Sequence, residues 1–349
     1  MSTRENAVKF WKSFEKVERQ IKEYLTQQKY EECMEIIEEL DTAAYEDFGC
    51  HFFVDNAYSD FELTWDTGPN KTVQYIADLV CAMAPESISK SWILNSSLPP
   101  LSQKAIQAQV QIKDQVYALP DFLLFYETVP GQETWNCEIY CPGFSLIKNS
   151  ENKKEMGMYL LELALGQCAY EAYISKVDFL DQPKKESPFC NLVDAYETLM
   201  EHVEKNQWKT YNTPLEIYSV YQPMQDFAHD SLRKDMKFIF TTHPLLIEET
   251  IEGQTDVIKD LEAKEGEFGY LYYSNPFGSR EDALFRQNLS SQLNELMNKT
   301  HCARVIGGAI GKSYSYIDWI VFDRNRFLKA LEQIKKQIDP KVELHYQKF

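Results

Sequence analysis

The sequence predicts an α+β protein built as two mixed halves with antiparallel or mixed sheets, the C-terminal half holding a ferredoxin-like β-α-β-β-α-β unit. Three observations carry that expectation. Residues Ala303 to Asp323, ARVIGGAIGKSYSYIDWIVFD, read as two apolar strands joined by a tight turn at Gly311-Lys312-Ser313. Amphipathic helical spacing flanks them over Glu281–Asn298 and Arg324–Asp339. An aromatic strand, Phe268–Ser274, comes before and Val342–Gln347 after, which completes the order over 268–347. Such a unit hosts many unrelated activities, so it sets architecture and leaves function open.

Composition bounds the remaining choices. A chain of 349 residues is long enough for two domains, and 44% hydrophobic residues supply a core for each. The abundance of Tyr and Phe, 21 and 20 residues, points to packed sheets and away from disorder. A formal charge of −18 opposes a general nucleic-acid role, because phosphate binding needs clustered Lys and Arg. The first thirty residues alternate charged and aromatic side chains and hold neither a signal-peptide core nor a spanning segment, so the expected location is cytoplasmic, with no membrane partner. The eight cysteines show no CxxC pair and no zinc spacing, as expected of reduced, buried thiols.

Taken in order, the chain opens with a helical hairpin. Phe10, Phe14, Val17, Ile21 and Tyr24 form one stripe, and a second helix from about Tyr30 to Tyr45 carries Cys33, Ile37, Leu40 and Ala44. HFFVDN and YSDFELTW read as strands, the latter alternating Phe61, Leu63 and Trp65 with polar residues. Asn70 caps a helix with its stripe on Val73, Ile76, Leu79, Val80 and Met83. FLLFYETV and WNCEIYC form a hairpin around Pro130-Gly131-Gln132. Met156–Val177 is apolar on most sides and reads as one long buried helix. The Pro- and Lys-rich run DQPKKESP, residues 181–188, reads as the linker, which sets the domains at 1–180 and 191–349 with 181–190 between them. Beyond it come a helix over Asn191–Lys205 and the stretch MKFIFTTHPLLIEE, read as a strand bent at Pro244, then a helix from about Asp256 to Lys264. The course from LRKDMKFIFTTHPLLIEE to IGGAIGKSYSYIDWIVFD resembles uncharacterised bacterial proteins of unknown function built as two α+β halves. That resemblance implies a bacterial, cytosolic origin and no particular activity, and it carries no functional residues.

Four pieces of candidate chemistry can be weighed. GGAIGKS, residues 307–313, invites a phosphate-binding loop, but the required first glycine is Ile306 and a strand follows where a helix is needed. Asp226, His229 and Asp230 in MQDFAHD would share one face of a helix and could ligate a metal; caps and solvated charges on a surface turn are the plainer reading. No nucleophile–His–acid triad emerges, since there is no GxSxG elbow among the six histidines' surroundings. Asp318 stands inside an apolar strand on the face of Tyr316, Ile320 and Phe322, so it needs a partner, for which a Tyr hydroxyl, Lys312 or Arg304 are the candidates. It is either a buried carboxylate that fixes the hairpin or, with Tyr316 and Lys312, a ligand anchor.

The expectation that follows is a non-catalytic cytosolic binding or regulatory protein, acting through a sheet face or interdomain groove and needing no cofactor. Its partners would be a protein, a second copy of this chain or a small molecule. The alternative is a small-molecule enzyme, such as a metal-dependent hydrolase, with its site between the halves. Both apolar faces of the C-terminal sheet need cover, and its own helices bury one; the Asp318 face is expected to lie against the N-terminal half or another subunit. One outcome follows from the Gly-Lys-Ser turn alone. Calorimetric titration with ATP or GTP plus magnesium should show no binding, and saturable binding lost in Lys312→Ala would overturn that reading.

Overall fold

A computed structural model describes residues 1–56, 60–101, 109–185, 187–223, 232–336, 338 and 342–349. Its elements begin with α1 (Thr3–Thr26), α2 (Tyr30–Phe48), β1 (His51–Asp55), β2 (Glu62–Asp66), α3 (Lys71–Ala82), α4 (Glu86–Ser89) and β3 (Ile93–Asn95). There follow β4 (Gln109–Ile112), β5 (Gln115–Ala118), β6 (Leu123–Thr128), β7 (Trp135–Tyr140), α5 (Ser150–Leu165), α6 (Gln167–Tyr173), β8 (Ile174–Leu180) and β9 (Phe189–Asn191). Next are α7 (Ala195–Lys205), β10 (Ser219–Tyr221), β11 (Met236–Thr241), α8 (Pro244–Glu252), α9 (Asp256–Ala263) and β12 (Glu267–Ser274). The chain closes with α10 (Glu281–Thr300), β13 (Ala303–Gly311), β14 (Tyr314–Val321), α11 (Arg324–Lys335) and β15 (His345–Lys348). The class is α+β. Among the described residues no helix is long and apolar enough to cross a membrane.

The chain folds into two compact units, and the division is not the expected one at 181–190. One unit gathers Met1–Phe52, Asn70–Lys90 and Tyr218–Phe349; the other holds Phe53–Pro69 and Ser91–Ile217. Residues 181–188 connect β8 to β9, which are strands of a single sheet in the order β8-β7-β6-β9, so prolines and lysines mark a crossover there and not a linker. Lys153 pairs with Asp181 at 2.7 Å, and Lys184 pairs with Glu138, fastening that crossover. The N-terminal hairpin belongs to the first unit, fastened at the start of α1 and against α3. Thr3 Oγ1 donates to the Lys264 carbonyl (2.7 Å), the Arg4 amide to the Phe322 carbonyl (3.2 Å), and Trp11 Nε1 to the Val80 carbonyl (2.7 Å).

In the first unit six strands run in the order β10-β11-β13-β14-β12-β15, every neighbour antiparallel. The expected β-α-β-β-α-β sequence is β12-α10-β13-β14-α11-β15, with β12 and β14 its inner pair, as read from the pattern. Period-two alternation sends Ile317, Trp319 and Val321 against Leu289, Leu293 and Met297 of α10 and Phe327 and Leu331 of α11. Tyr316 goes the other way, with Tyr270, Ala309 and Ile239, and meets Ile247 of α8 and Met236. The chain's own residues, within the same unit, thus cover the Asp318 face. Met236 and α8 at its Tyr316 end were not anticipated, because β11 and α8 were not distinguished, while Asp78, Leu79 and Ala82 of α3 stand beside Phe322, as expected of the N-terminal part.

Two further expectations change at the residue level. Met156–Val177 is not one helix: the run ends at Leu165, Gly166 takes φ +73°, and Ile174–Leu180 is a strand parallel to β7. Its all-round apolarity belongs to two short helices and a strand that share the second unit's core with Trp135, Ile139 and Leu199. Pro244 does not bend a strand either. It occupies the first turn of α8, where its missing amide costs nothing.

His243 caps that helix from a buried position. Nδ1 accepts the Leu246 amide (3.3 Å), so Nε2 carries the proton and donates to the Thr72 hydroxyl (2.9 Å). Burial pulls its pKa from the ordinary 6.5 down to about 3, so the folded protein keeps it neutral where the unfolded chain would charge it. Its contribution is complete above the unfolded value and is lost as pH falls toward the folded one, by up to about 1.4 kcal/mol per pH unit. Urea unfolding between about pH 7 and pH 4.5 should therefore show a steeper loss of stability in the native protein than in His243→Asn, which retains a capping oxygen. Equal slopes would show that the imidazole titrates normally.

Candidate functional site

The best-defined polar cluster grows from β14. Asp318 has no solvent exposure (0%), on the face opposite α10 and α11. Its partner is neither Lys312 nor Arg304 but Arg233, whose Nη1 and Nη2 reach Oδ1 and Oδ2 at 2.6 and 3.3 Å. Arg304 pairs instead with Asp78 (2.5 Å). Arg233 sits in the turn before β11 with a left-handed φ of +65° and keeps 10% of its side chain exposed. Its guanidinium carbon lies 4.9, 5.4 and 4.6 Å from the ring centroids of Tyr270, Tyr316 and Phe349, an aromatic surround favourable to a cation.

The same turn locks the β13–β14 hairpin. The Arg233 amide donates to the Tyr316 hydroxyl (2.9 Å), which donates to Asp235 Oδ1 (2.7 Å). Burial, with the Asp235 carboxylate adding to it, holds the Tyr316 hydroxyl far above its ordinary range, so it remains a donor. Asp235 Oδ2 accepts the amides of Ser313 (2.8 Å) and Tyr314 (3.1 Å), and the Asp235 carbonyl accepts that of Lys312 (3.0 Å). The amides that a phosphate loop would offer to a ligand are already held by a carboxylate. Gly311 makes this possible, since a Cβ there would stand 2.2 Å from Asp235 Oδ2.

Beside this cluster opens a cavity of about 520 Å³, within the size range of small-molecule sites. Its walls include Met236, Ile239, Ile247, Ile251, Tyr270 and Phe349, with Arg233, Lys234 and Lys348 as its charged members. Among the described residues no acidic, histidine, cysteine or serine side chain lines it. Thr250 brings a hydroxyl, but that group donates to the Leu246 carbonyl (2.6 Å). The cavity is therefore equipped to hold an apolar body beside positive charge.

The expected site residues separate accordingly. Asp318 and Tyr316 do come together, through Arg233 and Asp235, but Asp318 is sealed and does not line the cavity. Lys312 belongs to the hairpin turn and does not line it either. Asp226, His229 and Asp230 lie outside the described residues. Among the described residues no group of three or more His, Cys, Asp or Glu could hold a metal ion. Sequence reasoning missed Arg233, Asp235 and Phe349; the one available signal was Asp318 itself, whose place in an apolar strand demanded a cation. Compared with protein families, curated proteins and solved structures, the chain has no match, so its function must be argued from this geometry.

Removing one member of a buried ion pair leaves the other unpaired, at a cost of about 3–5 kcal/mol. Asp318→Ala should lose that much stability to urea, and the double variant Arg233→Met/Asp318→Leu should recover most of it. If the double variant loses the sum of the two single changes, the pair is not the coupled unit described.

Proposed function

We propose that this is a non-catalytic binding protein whose ligand is a small apolar molecule with an anionic head, taken into the cavity beside Arg233. The observation that carries the reading is the make-up of the walls. Aliphatic and aromatic side chains line the cavity together with arginine and lysine and, among the described residues, without any carboxylate, imidazole or thiol side chain. Lys234 is exposed and makes no ion pair among the described residues, so it is available to a carboxylate or sulfonate at the rim. Arg233 is already clasped by Asp318 and contributes fixed positive charge rather than a free fork of donors. Tyr270 and Phe349 add flat surfaces for the apolar body. A cytoplasmic location suits the reading, because all eight cysteines are free thiols. The formal charge of −18 speaks against nucleic acid as the partner. The hydrolase alternative has no support here, its residues lying outside the described ones.

The test uses 8-anilinonaphthalene-1-sulfonate displaced by dodecanoate, alongside a native mass spectrum of freshly purified protein. One probe should bind per chain and dodecanoate should displace it. Ile251→Glu, which sets a carboxylate in the apolar wall, should weaken dodecanoate at least tenfold. Lys234→Ala should weaken dodecanoate roughly two- to fivefold and leave dodecanol unchanged, the size of an exposed charge pair. Undiminished dodecanoate binding in Ile251→Glu would place the ligand elsewhere, and no displaceable binding at all would refute the reading.

A further inference from the structure

A second arginine in the same unit is in the opposite condition. Arg286, in the second turn of α10, is 7% exposed and lies with its guanidinium carbon 4.0 Å from the Phe240 ring centroid. Gly308 beneath it supplies the space: a Cβ there would come within 3.0 Å of Nη1 and 2.3 Å of the Tyr316 carbonyl oxygen. Nε is sealed from solvent and has no hydrogen-bond partner among the described residues. Among the described residues Arg286 has no ion pair. Nearby carboxylates are committed elsewhere. Asp282, one helical turn earlier, accepts the amides of Phe277 (3.0 Å) and Ser279 (2.9 Å). Asp318 influences Arg286 electrostatically, but on the opposite sheet face it is held by Arg233.

An arginine does not shed its proton in a protein, so burial leaves a cation that has lost water and gained no counter-charge. Burial pulls the pKa of Arg286 below its ordinary value, in keeping with that loss. A cation stacked on an aromatic ring is partly compensated through its face, yet among the described residues its terminal N–H groups meet no acceptor. Tyr218, half exposed, has its ring 6.4 Å from that of Phe240 and marks the side on which β10 and β11 meet solvent.

We propose that Arg286 anchors an oxyanion site, separate from the apolar cavity, in which a carboxylate or phosphate group of a small molecule entering past Tyr218 accepts two hydrogen bonds from the terminal guanidinium nitrogens. That end-on fork matches the paired oxygens of either group, and the sealed Nε excludes the side-on geometry. Phe240 and Tyr218 would flank whatever carries the anion, so a ring-bearing anion should bind more tightly than a bare one.

Calorimetry at constant ionic strength, with inorganic phosphate, acetate and benzoate as probes, tests the site. The native protein should bind one anion per chain, with benzoate tighter than acetate and phosphate showing whether two negative charges are favoured over one. Arg286→Lys, a cation without the fork, should bind at least tenfold more weakly. Arg286→Met should abolish binding while unfolding, in anion-free buffer, at a temperature no lower than the native protein's, since it removes an unpaired buried charge. Binding that persists in Arg286→Met, or a native protein that binds none of the three, would overturn the proposal. Should the Met variant fail to fold, the Nε–H resonance of Arg286 in the native protein decides the question. A saturable shift on benzoate addition supports the site, and an unmoved resonance rejects it.

Discussion

Asp318 puts a carboxylate with no solvent contact at the centre of a six-stranded antiparallel sheet, and much of the first unit is arranged to answer it. Its counter-charge arrives from 85 residues away, on a turn whose arginine accepts a left-handed backbone to reach it. That turn also delivers Asp235 to the Gly-Lys-Ser hairpin, so one short segment closes both the charge and the strand connection. Tyr270, Tyr316 and Phe349 then surround the guanidinium, and the cavity is the space left beside it. Remove the carboxylate and the turn, the hairpin and the cavity wall lose their common reference.

The C-terminal architecture was legible because two periods dominate it. Alternation in YSYIDWIVF separates Ile317, Trp319 and Val321 from Tyr316, Asp318 and Ile320, and the packed faces of β14 follow that split. Helical spacing likewise located α10 and α11 to within a few residues. Legibility failed where local pattern and long-range assembly disagree. DQPKKESP has the composition of a linker, yet both its ends belong to strands of one sheet. Met156–Val177 is apolar throughout, and apolarity alone does not say where Gly166 will turn the chain. The need for a partner at Asp318 was readable, but nothing local to LRKD identifies Arg233, because its role exists only once β11 lies two strands from β14.

The Gly-Lys-Ser turn shows how similar chemistry can be put to a structural use. A run of backbone amides converging on an anion is a general arrangement, indifferent to whether the anion is a ligand or a side chain. Here Asp235 fills that role from within the chain, and Gly311 is small because the carboxylate stands where a side chain would be. The motif misleads as a nucleotide signature, yet it does report the demand for an oxygen acceptor at that turn.

The discontinuous make-up of the first unit has a consequence for synthesis. Residues 1–52 contribute α1 and α2, whose aromatic stripe meets Phe48, Phe52 and Val80. The carbonyls that Thr3 and Arg4 bond at the start of α1, those of Lys264 and Phe322, come from residues 218–349. On a ribosome adding roughly 5–20 residues per second, the start of α1 waits on the order of 15–60 s for those partners. Pairings of such long sequence separation carry a large loop-closure cost and slow the search for the native state. The second unit's longer segment, residues 91–217, is by contrast complete well before the first unit's last strand emerges. The first turn of α1, with its buried Thr3 and Asn6, is thus a surface that a holding chaperone would meet on the nascent chain and not on the finished protein, whereas Phe10 and Trp11 find Phe48, Phe52 and Val80 within the first 90 residues.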